Sequence, residues 1–190
     1  RRQRQRCIRD RTITTGYYKK PEATAAAIDK DGWFHTGDAG YLKGNHLYLT
    51  ERIKDLFKTS NGKYISPQAL ETKLSIDRYI DQIAVIADQR KFVSALIVPV
   101  YGLVKNYAKE KGLEYKDMAD LLQHPKVQAL FRARIDTLQQ QFAHYEQVKR
   151  FTLLSEPFSM ERGELTNTLK LKRSVVAKNY KELIDKMYEE

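Results

Sequence analysis

Cys7 is the only cysteine in this chain of 190 residues, which excludes an internal disulfide framework. Glycine and proline are also sparse, at 9 and 5, and there is no repeat and no low-complexity linker. No apolar run approaches the roughly 18 residues that span a bilayer, and no secretory signal is visible. The four histidines, His35, His46, His124 and His144, are scattered without metal-ligand spacing, so no metal site is expected from them. What is present is a globular composition, 42% hydrophobic and 31% charged, with a length that fits one or two domains.

The formal charge is +10, but "RRQRQR" at the start holds four arginines, and without them it is 10 − 4 = +6. That run has no interleaved aromatic residues and lies at a terminus, so no nucleic-acid partner is expected from it. The remaining positive charge suits a polyphosphate ligand.

Turn chemistry and periodicity divide the chain. Cys7 to Thr15 read as a short strand, and Pro21 opens a helical turn through the Ala-rich stretch behind it. "YLKGNHLYLT" reads as a hairpin centred on Gly44-Asn45. "QIAVIADQRKFVSALIVPV" reads as a second hairpin around the polar loop Asp88 to Lys91. Between them, Ser66 is a candidate cap with Pro67 in the first helical position and Glu71 in the first turns. The second half reads as mostly helical. Its apolar stripes are Leu103/Val104/Tyr107/Ala108, stopped at Gly112; Met118/Leu121/Leu122; Leu130/Phe131/Ile135/Leu138/Phe142 behind Pro125; and Val176/Tyr180/Leu183/Ile184/Met187. All are read as core. A boundary is expected at Thr50 to Lys54.

Three polar, turn-like segments carry groups suited to nucleotides. In "DGWFHTGDAGYL", Gly37 allows a sharp turn and Asp38 projects from it. A carboxylate accepts two hydrogen bonds at once, which matches the vicinal hydroxyls of a ribose. The competing reading is an ordinary turn. In "ERIKDLFKTSNGKYISP", four cations and two acids fall between Glu51 and Lys63. As a plain strand, Arg52, Lys54 and Lys58 would form one solvated face of period two. In "ERGELTNTLKLKR", a loop around Gly163 and Thr-Asn-Thr leads to Lys170, Lys172 and Arg173. A lysine there can act as a mobile point charge, or simply begin a basic helix.

Taken together and in this order, the segments resemble the C-terminal part of the adenylate-forming (AMP-binding) superfamily, and within it the long-chain fatty acyl-CoA synthetase branch. The resemblance rests on "GYYKKPEATAAAIDKDGWFHTGD", "ERIKDLFKTSNGKYISP" with "LE" shortly after, and "GELTNTLKLKR", and runs from Thr14 to the C-terminus. It implies an α+β fold: a mobile lid of antiparallel hairpins and helices over residues 51–190, preceded at 1–50 by a strand-rich remnant of a large nucleotide-binding domain. It implies that Lys170 bridges the attacking carboxylate and the α-phosphate, that Asp38 and Arg52 hold the ribose and phosphate of ATP and acyl-AMP, and that Lys54 is the hinge. Lys58, Gly62 and Lys63 would face CoA. The implied partners are a long-chain fatty acid, ATP with Mg2+, CoA, and the missing N-terminal domain. A cytoplasmic location follows, with peripheral membrane contact and self-association left open.

The sequence departs from the pattern in two places. Arg1 to Arg11 lack the Gly-Glu-led strand the family has there, which leaves a tag, a cloning scar or a sequence error open. Thr-Asn-Thr replaces the branch's frequent Thr-Pro-Thr, which loses rigidity and keeps Lys170 in register. The family's phosphate loop, acyl tunnel and adenine pocket are absent from these residues, so a fragment inactive on its own is expected. The alternatives are a basic nucleic-acid-binding module and a lid that serves only as a protein-interaction domain.

Overall fold

The structure is a computed structural model that describes residues 4–189, apart from the side chains of Arg4, Gln5, Arg6, Thr50, Glu51 and Lys54. Arg1 to Gln3 of the arginine-rich run thus lie outside the described residues. By internal packing the chain divides into two compact units, one through Leu56 and one from Phe57.

In the first unit, β1 (Arg4–Ile8), β2 (Phe34–Lys43) and β3 (His46–Arg52) form an antiparallel sheet in the order β1-β2-β3. Gly44 and Asn45 close the β2–β3 hairpin, where the sequence placed it. The strand expected over Cys7–Thr15 lies earlier. After Ile8 the Asp10 carboxylate accepts the Thr12 N–H at 3.1 Å and the Asp10 carbonyl accepts the Ile13 N–H. That side-chain turn takes up backbone groups a ladder would use. Helix α1 (Pro21–Ala27) starts on its proline and buries none of its residues. Of the side chains described in this unit, only Ala39 is buried apolar surface, while Tyr18, Leu42, Leu47, Tyr48 and Leu49 are exposed. A 3-10 turn, Ile53–Asp55, ends the unit.

The second unit is built on a three-stranded sheet of β6 (Ile80–Ile86), β7 (Val93–Pro99) and β8 (Val148–Leu153), in that order. Strands β6 and β7 form the expected antiparallel hairpin. All seven residues of β7 are buried, because helices cover both faces. Val93, Ala95 and Ile97 enter one core with Leu70, Val104, Phe131 and Ile135, and Leu96 and Val98 enter another with Phe158, Val176 and Ile184. The period of two along a strand sends alternate residues to opposite faces. Each fully buried Leu or Ile contributes about 1.5–3 kcal/mol, so the two cores stabilise this unit strongly.

One face is packed by α2 (Pro67–Leu74), α3 (Tyr101–Glu110), α4 (Met118–Gln123) and α5 (Pro125–Leu138). The other carries α6 (Arg173–Asn179) and α7 (Lys181–Lys186). A small hairpin, β4 (Phe57–Lys58) and β5 (Tyr64–Ile65), precedes α2. The Ser66 hydroxyl caps α2 by accepting the Ala69 N–H at 3.4 Å.

The fold class is α+β, as the resemblance implied, with two differences in the second half. Val148–Leu153 is a strand, β8, parallel to β7; its charged middle, Lys149-Arg150, is exposed and hid the pattern. The last apolar stripe is two helices, not one. The backbone breaks at Tyr180 (φ −106°, ψ 21°), and the T-shaped contact of its ring with Phe158 holds it there.

Candidate functional site

Asp38 lies in β2 immediately after Gly37, whose φ of +75° is the left-handed region that favours glycine. No atom crowds a Cβ built on Gly37, so conformation rather than space demands the residue. Upstream, the Asp29 carboxylate ties the "DGWFH" turn. It accepts the Trp33 N–H at 2.8 Å and the Asp31 N–H at 3.0 Å, and lies 3.2 Å from His35 Nε2. The Trp33 N–H leads in holding this carboxyl below its ordinary range.

Asp38 is paired directly across the ladder with Arg52. Arg52 Nε stands 3.6 Å from Asp38 Oδ1, with the arginine side chain 62% exposed and the aspartate 26%. A pair this long and this exposed contributes at most about 1 kcal/mol. Both groups can therefore turn to a ligand at small cost. The resemblance put both on one nucleotide; the register across β2–β3 sets them side by side, an acceptor suited to hydroxyls beside a donor suited to a phosphate.

The plain-strand reading of Arg52, Lys54 and Lys58 as one face is corrected by the structure. The 3-10 turn Ile53–Asp55 interrupts the strand, closed by the Leu56 N–H on the Ile53 carbonyl at 3.3 Å. Of Lys54 only the backbone is described, and it lies inside this turn.

Lys58, Gly62 and Lys63 come together on the β4–β5 hairpin. Buried Thr59 organises the tip: its hydroxyl accepts the Lys63 N–H at 3.1 Å, and its carbonyl accepts the Gly62 N–H at 2.9 Å. Gly62 has φ +72°. The hairpin is fastened to the β6–β7 loop by Gln89 N–H to the Lys58 carbonyl and Ser60 N–H to the Arg90 carbonyl. Lys63 Nζ stands 5.6 Å from the centre of the Tyr145 ring, an aromatic contact the sequence did not announce.

Lys170 is presented on a tight loop. Leu165 and Leu171 bridge its two legs, and the Lys172 N–H reaches the Glu164 carbonyl at 2.7 Å. At the tip, the Thr166 N–H donates to the Lys170 carbonyl at 2.8 Å, and the Thr166 hydroxyl accepts the Lys170 N–H at 3.0 Å. Leu169 turns the chain with φ +59°. Thr166 thus ties both backbone groups of Lys170 across the loop. The Lys170 side chain is exposed.

The incoming leg is anchored by Glu164, which is fully buried. Its carboxylate accepts the Ser159 N–H, the Arg162 Nε and the Asn179 amide. Burial pushes this carboxyl up, but Arg162 and the other donors outweigh it and hold it below its ordinary value. The outgoing leg ends at Arg173, whose guanidinium forks onto Glu71. Sequence reasoning gave neither acid a part in holding the loop; Arg173 lies 102 residues from Glu71, and the donors around Glu164 converge only once the turn at Ser159–Gly163 has formed.

Among the described residues no group of three His, Cys, Asp or Glu could hold a metal ion, and no helix is long and apolar enough to cross a membrane. A cleft of about 260 Å³, lined in part by Gln123, Leu154, Glu156 and Tyr180, includes none of the predicted site residues.

A mixed sheet with helices on both faces and a lysine loop thus follows, in the chain, a hairpin that pairs an aspartate with an arginine. The chain belongs to the AMP-binding enzyme C-terminal domain family, whose model matches residues 54–190. It is similar to the peroxisomal long chain acyl-CoA synthetase 6 of Arabidopsis thaliana, 36% identical over 190 residues, covering 97% of this chain and 27% of that protein. The long-chain-fatty-acid–CoA ligase 5 of Rattus norvegicus is 36% identical over 190 residues, covering 96% of this chain and 27% of that protein. Among solved structures, the adenylation domain of a Mycobacterium chelonae carboxylate reductase superposes with a TM-score of 0.78 at 26% identity, covering 98% of this chain and 28% of that one. The chain thus spans about a quarter of the length of the relatives it matches.

Proposed function

We propose that this chain is the C-terminal part of an ATP-dependent long-chain fatty acid–CoA ligase, with residues 1–50 closing the large nucleotide-binding domain and 51–190 forming its mobile lid. The single observation that carries the reading is the register pairing of Asp38 with Arg52, in a chain that also presents Lys170 on a braced loop.

In the first half-reaction a fatty acid carboxylate attacks the α-phosphorus of ATP. A P–O bond forms to give acyl-AMP, and the bond to pyrophosphate breaks. Asp38 accepts hydrogen bonds from the ribose hydroxyls, and Arg52 donates to the ribose or to the adjoining phosphate. Two anions meet in this step, and the Lys170 ammonium stabilises the charge that develops between them. Mg2+ accompanies the triphosphate as part of the substrate. In the second half-reaction the CoA thiol attacks the acyl carbon, a thioester forms and AMP leaves. No ammonium is needed at the phosphate then. The lid turns about Lys54, Lys170 withdraws, and the hairpin of Lys58, Gly62 and Lys63 faces CoA, its cations toward the phosphates and Gly62 beside the pantetheine arm.

The test measures both half-reactions in the full-length enzyme carrying this segment. Lys170→Ala is expected to lower adenylation by roughly 10²- to 10³-fold and to affect thioester formation from supplied acyl-adenylate far less. Lys54→Pro, which fixes φ and removes an N–H, is expected to do the reverse. The 190-residue chain alone is expected to give no ATP–pyrophosphate exchange. Equal slowing of both steps by both variants would overturn the assignment of Lys54 and Lys170 to different steps, and robust exchange by the isolated chain would overturn the fragment reading.

A further inference from the structure

Arg173 begins α6, three residues after Lys170, and its side chain is committed. Nη1 and Nη2 donate to the two carboxylate oxygens of Glu71, each at 2.5 Å. Glu71 is itself fixed, because Oε1 also accepts the Val85 N–H at 2.8 Å. The guanidinium carbon stands 5.6 Å from the centre of the Phe57 ring. Phe57 is the first residue of the second unit and opens β4, two positions beyond the 3-10 turn. Helix α2 and strand β4 therefore meet one guanidinium at the root of the lysine loop, and strand β6 holds the carboxylate it forks onto.

We infer that Arg173, held by Glu71 and laid against Phe57, is a positioning residue that fixes where the lysine loop presents Lys170 relative to the start of the lid. The inference rests on the role proposed for Lys170. Arg173 is not itself a catalytic residue, since both terminal nitrogens are already engaged by Glu71. A bidentate fork sets orientation as well as distance, and a displacement of about 1 Å in a catalytic group can cost on the order of 10²-fold. The path from fork to ammonium is short and stiff. Lys172 is bonded to the Glu164 carbonyl, Leu171 bridges Leu165, and Lys170 is bonded to Thr166. Without the fork this path would hang from the Glu164 side alone.

Two variants test it. Arg173→Met keeps an apolar stem for Phe57 and removes the fork. Glu71→Gln keeps an oxygen for the Val85 N–H and removes the charge. In the 190-residue chain, hydrogen exchange at the amides of Leu169, Lys170 and Lys172 should accelerate about 10-fold in both variants, while the β6–β7 amides keep their protection. In the full-length enzyme, both should lower the kcat of adenylation about 10-fold or more, leave KM for ATP within about 2-fold, and spare thioester formation from acyl-adenylate. Arg173→Lys, a point charge that cannot fork, should fall between.

Unchanged loop exchange in both variants overturns the inference. So does exchange that rises equally in β6 and β7, which would make Arg173 a brace of the whole fold, and so does an equal loss in both half-reactions. Lys170→Ala in parallel separates the two levels. If it leaves adenylation intact, the proposed role of Lys170 fails, and loop exchange still decides whether Arg173 holds the loop.

Discussion

The first unit is a sheet with almost no buried side chain among those described; the second is a sheet whose central strand is buried throughout. In the first, Leu42, Leu47 and Leu49 remain 74%, 46% and 52% exposed. In the second, every residue of β7 is buried, and two cores flank the strand. Both units contain well-paired ladders, so hydrogen bonding does not distinguish them. The difference is in what covers the sheet. A three-stranded sheet gains independent stability only with an apolar face packed against something. The second unit carries its own helices; the first has α1, which buries no residue. The same contrast runs through the proposed machinery. The ribose-side pair, Asp38 and Arg52, is long and exposed, whereas the lysine loop is clamped at both ends by buried or half-buried carboxylates. On the proposed reading, the group that acts in only one of the two half-reactions is the one whose loop is braced at both ends.

The largest effect that sharpens this comparison is a core truncation. Phe131→Ala removes a fully buried ring that meets Tyr79 edge-on at 6.1 Å and should cost about 3–5 kcal/mol. The same kind of loss in the first unit, Leu47→Ser, should stay within about 0.5 kcal/mol in this chain. Introduced into the longer enzyme, where we propose that the rest of the large domain covers that face, Leu47→Ser should cost several times more. Denaturant melts of the three variants and the two parent chains decide it. Equal sensitivity of Leu47 in the short and long chains would break the contrast.

Much of this arrangement can be read locally and some cannot. The Gly44-Asn45 hairpin, the Ser66-Pro67 start of α2 and the β6–β7 hairpin around Asp88 to Lys91 are encoded within a few residues each, and the structure has them where the sequence puts them. The strand from Cys7 was placed late because the Asp10 side chain diverts the backbone into a turn. β8 escaped because Lys149 and Arg150 are adjacent and both exposed, where the register against β7 shifts, so the strand shows no regular alternation. The break at Tyr180 depends on Phe158, a tertiary neighbour. The site divides the same way. Asp38, Arg52 and Lys170 are conspicuous in their motifs, but the pairing of Asp38 with Arg52 depends on a ladder whose register shifts between Ala39 and Gly40. The fork of Arg173 on Glu71 joins residues 102 apart, and nothing local in either motif states it.

Next in size is the anchor of the lysine loop. Glu164 has a folded pKa below the ordinary value of 4.5, because its donors outweigh the effect of burial. A depressed carboxyl contributes stability that is fully present above the unfolded value and is lost as pH falls through the folded one. Acid melts should therefore show the second unit losing stability as pH drops below about 4.5. Glu164→Gln should flatten that part of the profile and cost about 1–3 kcal/mol at neutral pH, since Arg162 and the Ser159 N–H lose a charged acceptor. The first unit offers no equivalent: Asp29 is also depressed, with the Trp33 N–H first among its causes, but its turn is exposed. A profile for Glu164→Gln that overlays the parent chain would show that the loop's anchor does not depend on this charge.

The smallest effect separates the units through their first helices. Both α1 and α2 begin on a proline, but only α2 has a side-chain cap, Ser66. Ser66→Ala should cost about 0.5–1 kcal/mol, at the lower end of cap losses because the bond to the Ala69 N–H is long at 3.4 Å. That loss should appear in the global melt, because α2 carries Leu70 and Leu74 into the core and Glu71 to Arg173. Lys20→Ser installs the missing cap on α1, and a gain of similar size should be confined to that helix. Amide exchange at Ala23 and Thr24 should slow, and the melting temperature should stay put, because no residue of α1 is buried and nothing couples its stability to a core. A rise in melting temperature for Lys20→Ser would mean that α1 is part of a cooperative unit despite its exposure. It would require the first unit to be held together by more than its ladders.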